Sequence, residues 1–122
     1  DVFKYRPLDF QVVVNVPEKE ICLYDGTDFV KGYPILSMKD GGKKNVETTV
    51  KDEQAPVSIY SRQFPSADKT LVLAAGGYVI DAARGTPRSP GFYLSRQDCN
   101  ELAMLTRPGT KVTILRGKGE EP

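Results

Sequence analysis

Phe10, Val12, Val14 and Val16 alternate with Gln11, Val13 and Asn15, a two-residue period that predicts a strand with one face better buried than the other. Pro17-Glu18-Lys19-Glu20 interrupts the run and Ile21-Cys22-Leu23-Tyr24 resumes it. Asp25-Gly26 then supplies the positive-φ chemistry of a tight hairpin before Phe29-Val30, and Tyr33–Met38 extends the meander. Lys39-Asp40-Gly41-Gly42-Lys43-Lys44 is polar and glycine-rich, which predicts an exposed loop whose lysines are solvated rather than gathered on an anion. Beyond it, Val46–Val50, Val57–Tyr60, Leu71–Ala74 and Tyr78–Ile80 are short β-branched or aromatic segments separated by turn residues, the spacing of an all-β sandwich or barrel. One helix is predicted: Ser95 with Asp98 three places on reads as a capping box, and Cys99, Leu102, Ala103 and Thr106 recur at helical spacing until Pro108-Gly109 stops them. Lys111–Leu115 closes as a strand, and residues 117–122 form a polar tail. The expected fold class is mainly β, a sandwich or barrel with one short helix before the last strand.

A chain of 122 residues fits one domain, and no internal repeat or linker divides it. Hydrophobic residues make up 39%, enough for a small core, and no apolar run approaches the ~18–20 residues of a membrane span. The formal net charge of +1 is far from the basic balance on which phosphate-backbone binding rests, so nucleic acid is not an expected partner. No charged head with an apolar stretch opens the sequence, and location is not read from a targeting signal.

The sequence contains no histidine, which removes the commonest general base at neutral pH and the commonest metal ligand together. Cys22 and Cys99 are the only thiols and stand far apart in sequence, without the four-ligand spacing of a zinc site, so neither a metal nor a cofactor is expected. They form one bridge or remain two buried thiols, the second being the commoner habit of so few cysteines.

The order of these pieces resembles a known family. Val12-Val13-Val14-Asn15-Val16, Ile21-Cys22-Leu23-Tyr24-Asp25-Gly26 and Phe29-Val30-Lys31-Gly32-Tyr33-Pro34-Ile35 look like the opening meander of the YkuD-type L,D-transpeptidase catalytic domain. Asp98, Leu102 and then Gly109-Thr110-Lys111-Val112 are similar to that family's closing helix and Gly-Thr-Pro-Val strand. The resemblance covers about residues 10–116; each piece is a weak motif, and order and spacing carry the match.

Between these ends the family keeps a His on an Ile-His-Gly strand end and a Ser-His-Gly-Cys loop, whose thiolate attacks a peptidoglycan stem peptide. Such a nucleophile needs an adjacent base and donors for the oxyanion. Here the first position is Asp81, in Tyr78-Val79-Ile80-Asp81-Ala82, and the second motif reads Ser89-Pro90-Gly91-Phe92. Both histidines and the nucleophile are thus replaced, by Asp81, Pro90 and Phe92, and no catalytic residue is assigned. The stretch from Asp81 to Ser89 is shorter than the family's loop, and the arginine that usually follows the Cys has no counterpart. Cys99 as a relocated nucleophile has no histidine to activate it, and Ser89 has no motif-placed base. Asp81 reads either as a strand-end carboxylate that caps a turn or pairs with Arg84, or as a general base without a nucleophile to serve.

What the resemblance then implies is an inactive L,D-transpeptidase-like domain, a binding or scaffolding module of the bacterial periplasm or cell envelope, with peptidoglycan stem peptide or an envelope protein as partner. Its vestigial groove is expected at Asp81, Arg84, Arg88, Pro90, Gly91, Phe92 and Tyr93, with Phe92 and Tyr93 displayed beside the two arginines as in a protein-contact hot spot. The opposing expectation is that Phe92 fills the volume vacated by catalytic side chains and packs inward. Two other readings stand beside this one: an unrelated small β-sandwich of assembly or adhesion type, and an active peptidoglycan enzyme with a relocated nucleophile.

Overall fold

The computed structural model describes residues 9–54 and 69–117; the expected strand at Val57–Tyr60 lies outside them. Among the described residues nine strands run β1 Phe10–Asn15, β2 Glu20–Asp25, β3 Asp28–Pro34, β4 Ser37–Lys39, β5 Val46–Gln54, β6 Thr70–Leu73, β7 Val79–Ala82, β8 Gly91–Leu94 and β9 Lys111–Leu115, with helix α1 at Arg96–Leu105. They form one sheet in the order β3-β2-β1-β9-β5-β6-β7-β8-β4, antiparallel except for the parallel pairs β1–β9 and β7–β8.

The alternation read from the sequence sets the register. Val12 faces Leu23 on one side and Val112 on the other, and Val14 faces Ile21 and Ile114. All six are buried, so each row of same-face residues runs across several strands as one stripe of core. A second stripe, Leu71–Ile80–Phe92, crosses β6, β7 and β8 and ends on Met38 of β4.

Chain connectivity forces the sheet to curl. β3 and β4 lie at opposite edges, yet only Ile35 and Leu36 separate them. Three Cα steps reach about 11 Å, whereas nine flat strands place their outer members about 38 Å apart. The edges must therefore approach each other, giving the half-barrel observed. The expected unbroken segment Tyr33–Met38 is thus two strands with a corner between them. Ile35 is buried in that corner, with its N–H bonded to the Lys19 carbonyl at 2.9 Å.

Helix α1 packs over β6, β7 and β8 and buries Cys99, Leu102 and Ala103, the positions that its periodicity marked. Ser95 is the N-cap, its Oγ accepting from the Asp98 N–H at 3.1 Å. Ser95→Ala is expected to lower stability by about 1 kcal/mol, read as a shift in the denaturant midpoint with unchanged slope; an unaltered midpoint would exclude a capping role.

The loop that follows β4 is not the wholly solvated segment its composition suggests. Asp40 and Arg116 have side chains only 5% and 6% exposed and form an ion pair at 2.9 Å. Asp40 also accepts from Tyr78 Oη at 2.7 Å and from the Gly42 N–H at 3.0 Å. The Arg116 guanidinium donates to the Lys44 carbonyl at 2.8 Å and lies over the Tyr78 ring. A Cβ at Gly42 would collide with that guanidinium, which explains a glycine at this point of closest approach. No local pattern announces this pair, because Asp40 and Arg116 lie 76 positions apart in the chain.

Both cysteines are buried, and no disulfide joins them. Burial, reinforced by the neighbouring Glu20 carboxylate, pushes the Cys22 thiol up to about 11. Burial and the Glu101 charge likewise push the Tyr33 phenol up to about 12. Native protein therefore holds both protons more tightly than unfolded chain, whose thiol and phenol release them near ~8.5 and ~10. The associated stability is complete below those values and is lost as pH rises through the native ones. Urea midpoints are expected to fall steadily between about pH 9 and pH 12, with Tyr33→Phe flattening the upper part of the decline. A midpoint constant across that window would contradict the burial of these groups.

Candidate functional site

A cleft of about 430 Å³ opens beside β7 and β8. Its floor follows from strand alternation. β7 and β8 pair in parallel with Ile80 beside Phe92 and Asp81 beside Tyr93, and β4 places Ser37 beside Tyr93. Ser37, Tyr93 and Asp81 therefore form one row across three strands, on the face opposite the core stripe of Ile80 and Phe92. Thr70 of β6 extends the row, its Oγ1 donating to Asp81 Oδ1 at 3.0 Å, and the Ala82 N–H donates to the same oxygen at 2.8 Å.

The outer wall is the segment from Arg84 to Ser89. Gly85 turns it with φ +59°, a conformation open to glycine. Two side chains tie its far end down: Lys39 Nζ donates to the Arg88 carbonyl at 2.9 Å, and Tyr93 Oη donates to the Ser89 carbonyl. Burial and the nearby Asp81 charge raise the Tyr93 phenol above its ordinary range, outweighing its interaction with Ser89. The phenol thus remains a donor at neutral pH. The wall carries the exposed guanidinium groups of Arg84 and Arg88.

Of the residues expected in a vestigial groove, Asp81, Arg84, Arg88 and Tyr93 line this cleft and Pro90, Gly91 and Phe92 do not. The expected display of Phe92 is corrected: its side chain is fully buried and stacks on Tyr78 with ring centroids 5.8 Å apart. The reason is the period of the strand, which sends Phe92 and Tyr93 to opposite faces. Gly91 is buried against β7, where a Cβ would meet the Val79 carbonyl, so its backbone role is close packing of the parallel pair. Tyr93 is itself largely covered by the wall it holds, at 7% exposure. Ser37 was missed, since only the long-range pairing of β4 with β8 brings it to the site.

The lining offers hydroxyls, one carboxylate and two guanidiniums, with no thiol among the described residues. It can therefore hold a polar ligand through hydrogen bonds and charge. No group of His, Cys, Asp and Glu side chains among the described residues is arranged to bind a metal ion. A second, wider cleft of about 660 Å³ lies between the start of β1, the end of α1 and the start of β9, with Phe10, Leu105 and the 84%-exposed Met104 on its margin.

No family model matches this sequence, and no curated protein matches it. The fold does match solved structures. L,D-transpeptidase 1 of Mycobacterium tuberculosis superposes with a TM-score of 0.66 over 88% of this chain and 62% of its own, at 11% identity. An L,D-transpeptidase from Mycobacterium smegmatis superposes with a TM-score of 0.67 over 88% of this chain and 58% of its own, at 10% identity. The chain thus spans less than two thirds of the length of either relative. With Asp81 seated beside Tyr93 at the parallel β7–β8 pair, on a half-barrel whose helix precedes its last strand, the chain has an L,D-transpeptidase-like fold.

Proposed function

We propose that this chain is a catalytically inactive L,D-transpeptidase-like domain that serves the bacterial cell envelope as a binding module, taking a peptide of the wall in the cleft between Asp81 and the Arg84–Ser89 wall. The carrying observation is chemical: the chain has no histidine, and the cleft lining supplies no thiol among its described residues. Acyl transfer by cysteine needs a thiolate beside a base and oxyanion donors. Cys22, with its thiol pushed up to about 11, and Cys99, 1% exposed with Sγ 3.4 Å from the Lys69 carbonyl, are both poorly suited to supply one. The fold, by contrast, is complete enough to hold a cleft of peptide-fragment size, and a scaffold keeps its groove when the reacting groups are replaced.

The same resemblance supports the reading of a location in the envelope, and of the periplasm within it. No helix among the described residues is long and apolar enough to cross a membrane. Incubation with purified peptidoglycan sacculi, followed by muropeptide analysis, tests the reading. The domain is expected to sediment with the sacculi and leave their muropeptides unchanged. New or lost cross-links would overturn the inactive assignment, and absence of sedimentation would overturn wall binding.

A further inference from the structure

Arg84 and Arg88 stand on a wall whose far end is not free to swing. Lys39 and Tyr93, from β4 and β8, hold the successive carbonyls of Arg88 and Ser89, and Pro87 fixes the backbone just before Arg88. A bond from an ammonium is stronger than a neutral one, and a guanidinium carried on a pinned backbone has less freedom to lose when a ligand arrives. Within the same cleft, Asp81 keeps a carboxylate whose Oδ1 is occupied by Thr70 and by the Ala82 N–H.

This combination selects among anions. A guanidinium pairs in two-pronged fashion with a planar carboxylate. The Asp81 charge repels a compact, multiply charged anion such as phosphate more strongly than a singly charged carboxylate, and it attracts an N–H donor. A terminal carboxylate directly preceded by an amide N–H answers both demands, and that is the end of a peptide chain. Resting on the reading of this cleft as a binding site, we infer that it recognises the free C-terminal carboxylate of a peptide through Arg84 and Arg88, with Lys39 and Tyr93 as positioning residues. The carboxylate is common to a wall peptide and to a protein tail.

The test titrates acetyl-trialanine, as free acid and as C-terminal amide, into the whole chain up to millimolar concentration, following backbone amide resonances. The acid is expected to bind about tenfold or more tightly than the amide, with shifts at Arg84–Ser89 and Tyr93. Arg88→Gln is expected to reduce acid binding to the level of the amide without changing the thermal midpoint. Lys39→Met is expected to weaken binding of the acid while leaving the amide and the thermal midpoint unchanged, and Lys39→Arg to restore it, an acid-only effect that a merely structural lysine would not show. Equal binding of acid and amide, or saturation by neither, overturns the inference. Should that happen while sacculi still sediment with the domain, wall binding stands and the carboxylate assignment falls. Acid-selective binding without sedimentation upholds the inference and assigns the ligand to a protein tail.

Discussion

Arg116→Ala is expected to destabilise the domain by about 3–5 kcal/mol, because it leaves the Asp40 carboxylate buried without its counter-charge. With each kcal/mol worth roughly 4–8 °C in a domain near this size, the thermal midpoint should drop by 10 °C or more on the order of magnitude these figures allow. Burial by itself pushes the Asp40 carboxyl up. The hydrogen bonds from Arg116, Tyr78 and Gly42, with the Arg116 charge, outweigh it and hold the group below the usual carboxylate range. Its contribution is therefore complete above the unfolded value of ~3.9 and is lost as pH falls through the lower native value. The wild type should lose stability below about pH 4, and Arg116→Ala should show a weaker acid dependence. Replacing both partners, as in Asp40→Leu with Arg116→Met, should recover much of the loss, since it leaves no orphaned charge. A midpoint for Arg116→Ala within 1 °C of wild type, on the scale of roughly 4–8 °C per kcal/mol, would show the pair to be a surface contact instead.

Phe92→Ala is expected to cost a similar amount, about 3–5 kcal/mol. The ring is fully buried in the stripe that joins Ile80 to Met38, and it stacks on Tyr78, which in turn contacts both Asp40 and Arg116. Removal opens a cavity between the sheet and the Asp40–Arg116 pair, so the losses at Phe92 and Arg116 should not add when the variants are combined. The same experiment separates the two roles considered for this residue. A packing residue lowers the denaturant midpoint, whereas a displayed hot-spot residue leaves it nearly unchanged and affects only binding.

Strands β1, β2 and β9 and helix α1 were legible in the sequence because their signals are local. Val12 and Val14 repeat at the pleat period, Gly26 marks the two-residue turn between Asp25 and Asp28, and Ser95 announces a helix start. Strand β8 was not, since Gly91–Leu94 is a short run buried on both faces and its meaning was absorbed by the motif it replaces. The break between β3 and β4 left no composition signal either; it follows from the closure of the sheet. Site residues divide along the same line. Asp81, Arg84, Arg88 and Tyr93 belong to one stretch of chain and were found together, although the alternation that turns Phe92 inward was available in the sequence. Ser37, Lys39 and the Asp40–Arg116 pair depend on pairings across more than 40 positions, for which no local pattern exists.

The decisive measurement is co-sedimentation with purified sacculi of the wild-type chain beside an Arg84→Gln, Arg88→Gln double variant of unchanged thermal midpoint, with muropeptides analysed from the same tubes. Binding without chemistry at the Asp81–Tyr93 cleft requires the wild type to pellet, the double variant to remain in the supernatant, and the muropeptides to be identical in both. Equal pelleting of the two proteins, or any change in cross-links caused by the wild type, would contradict it.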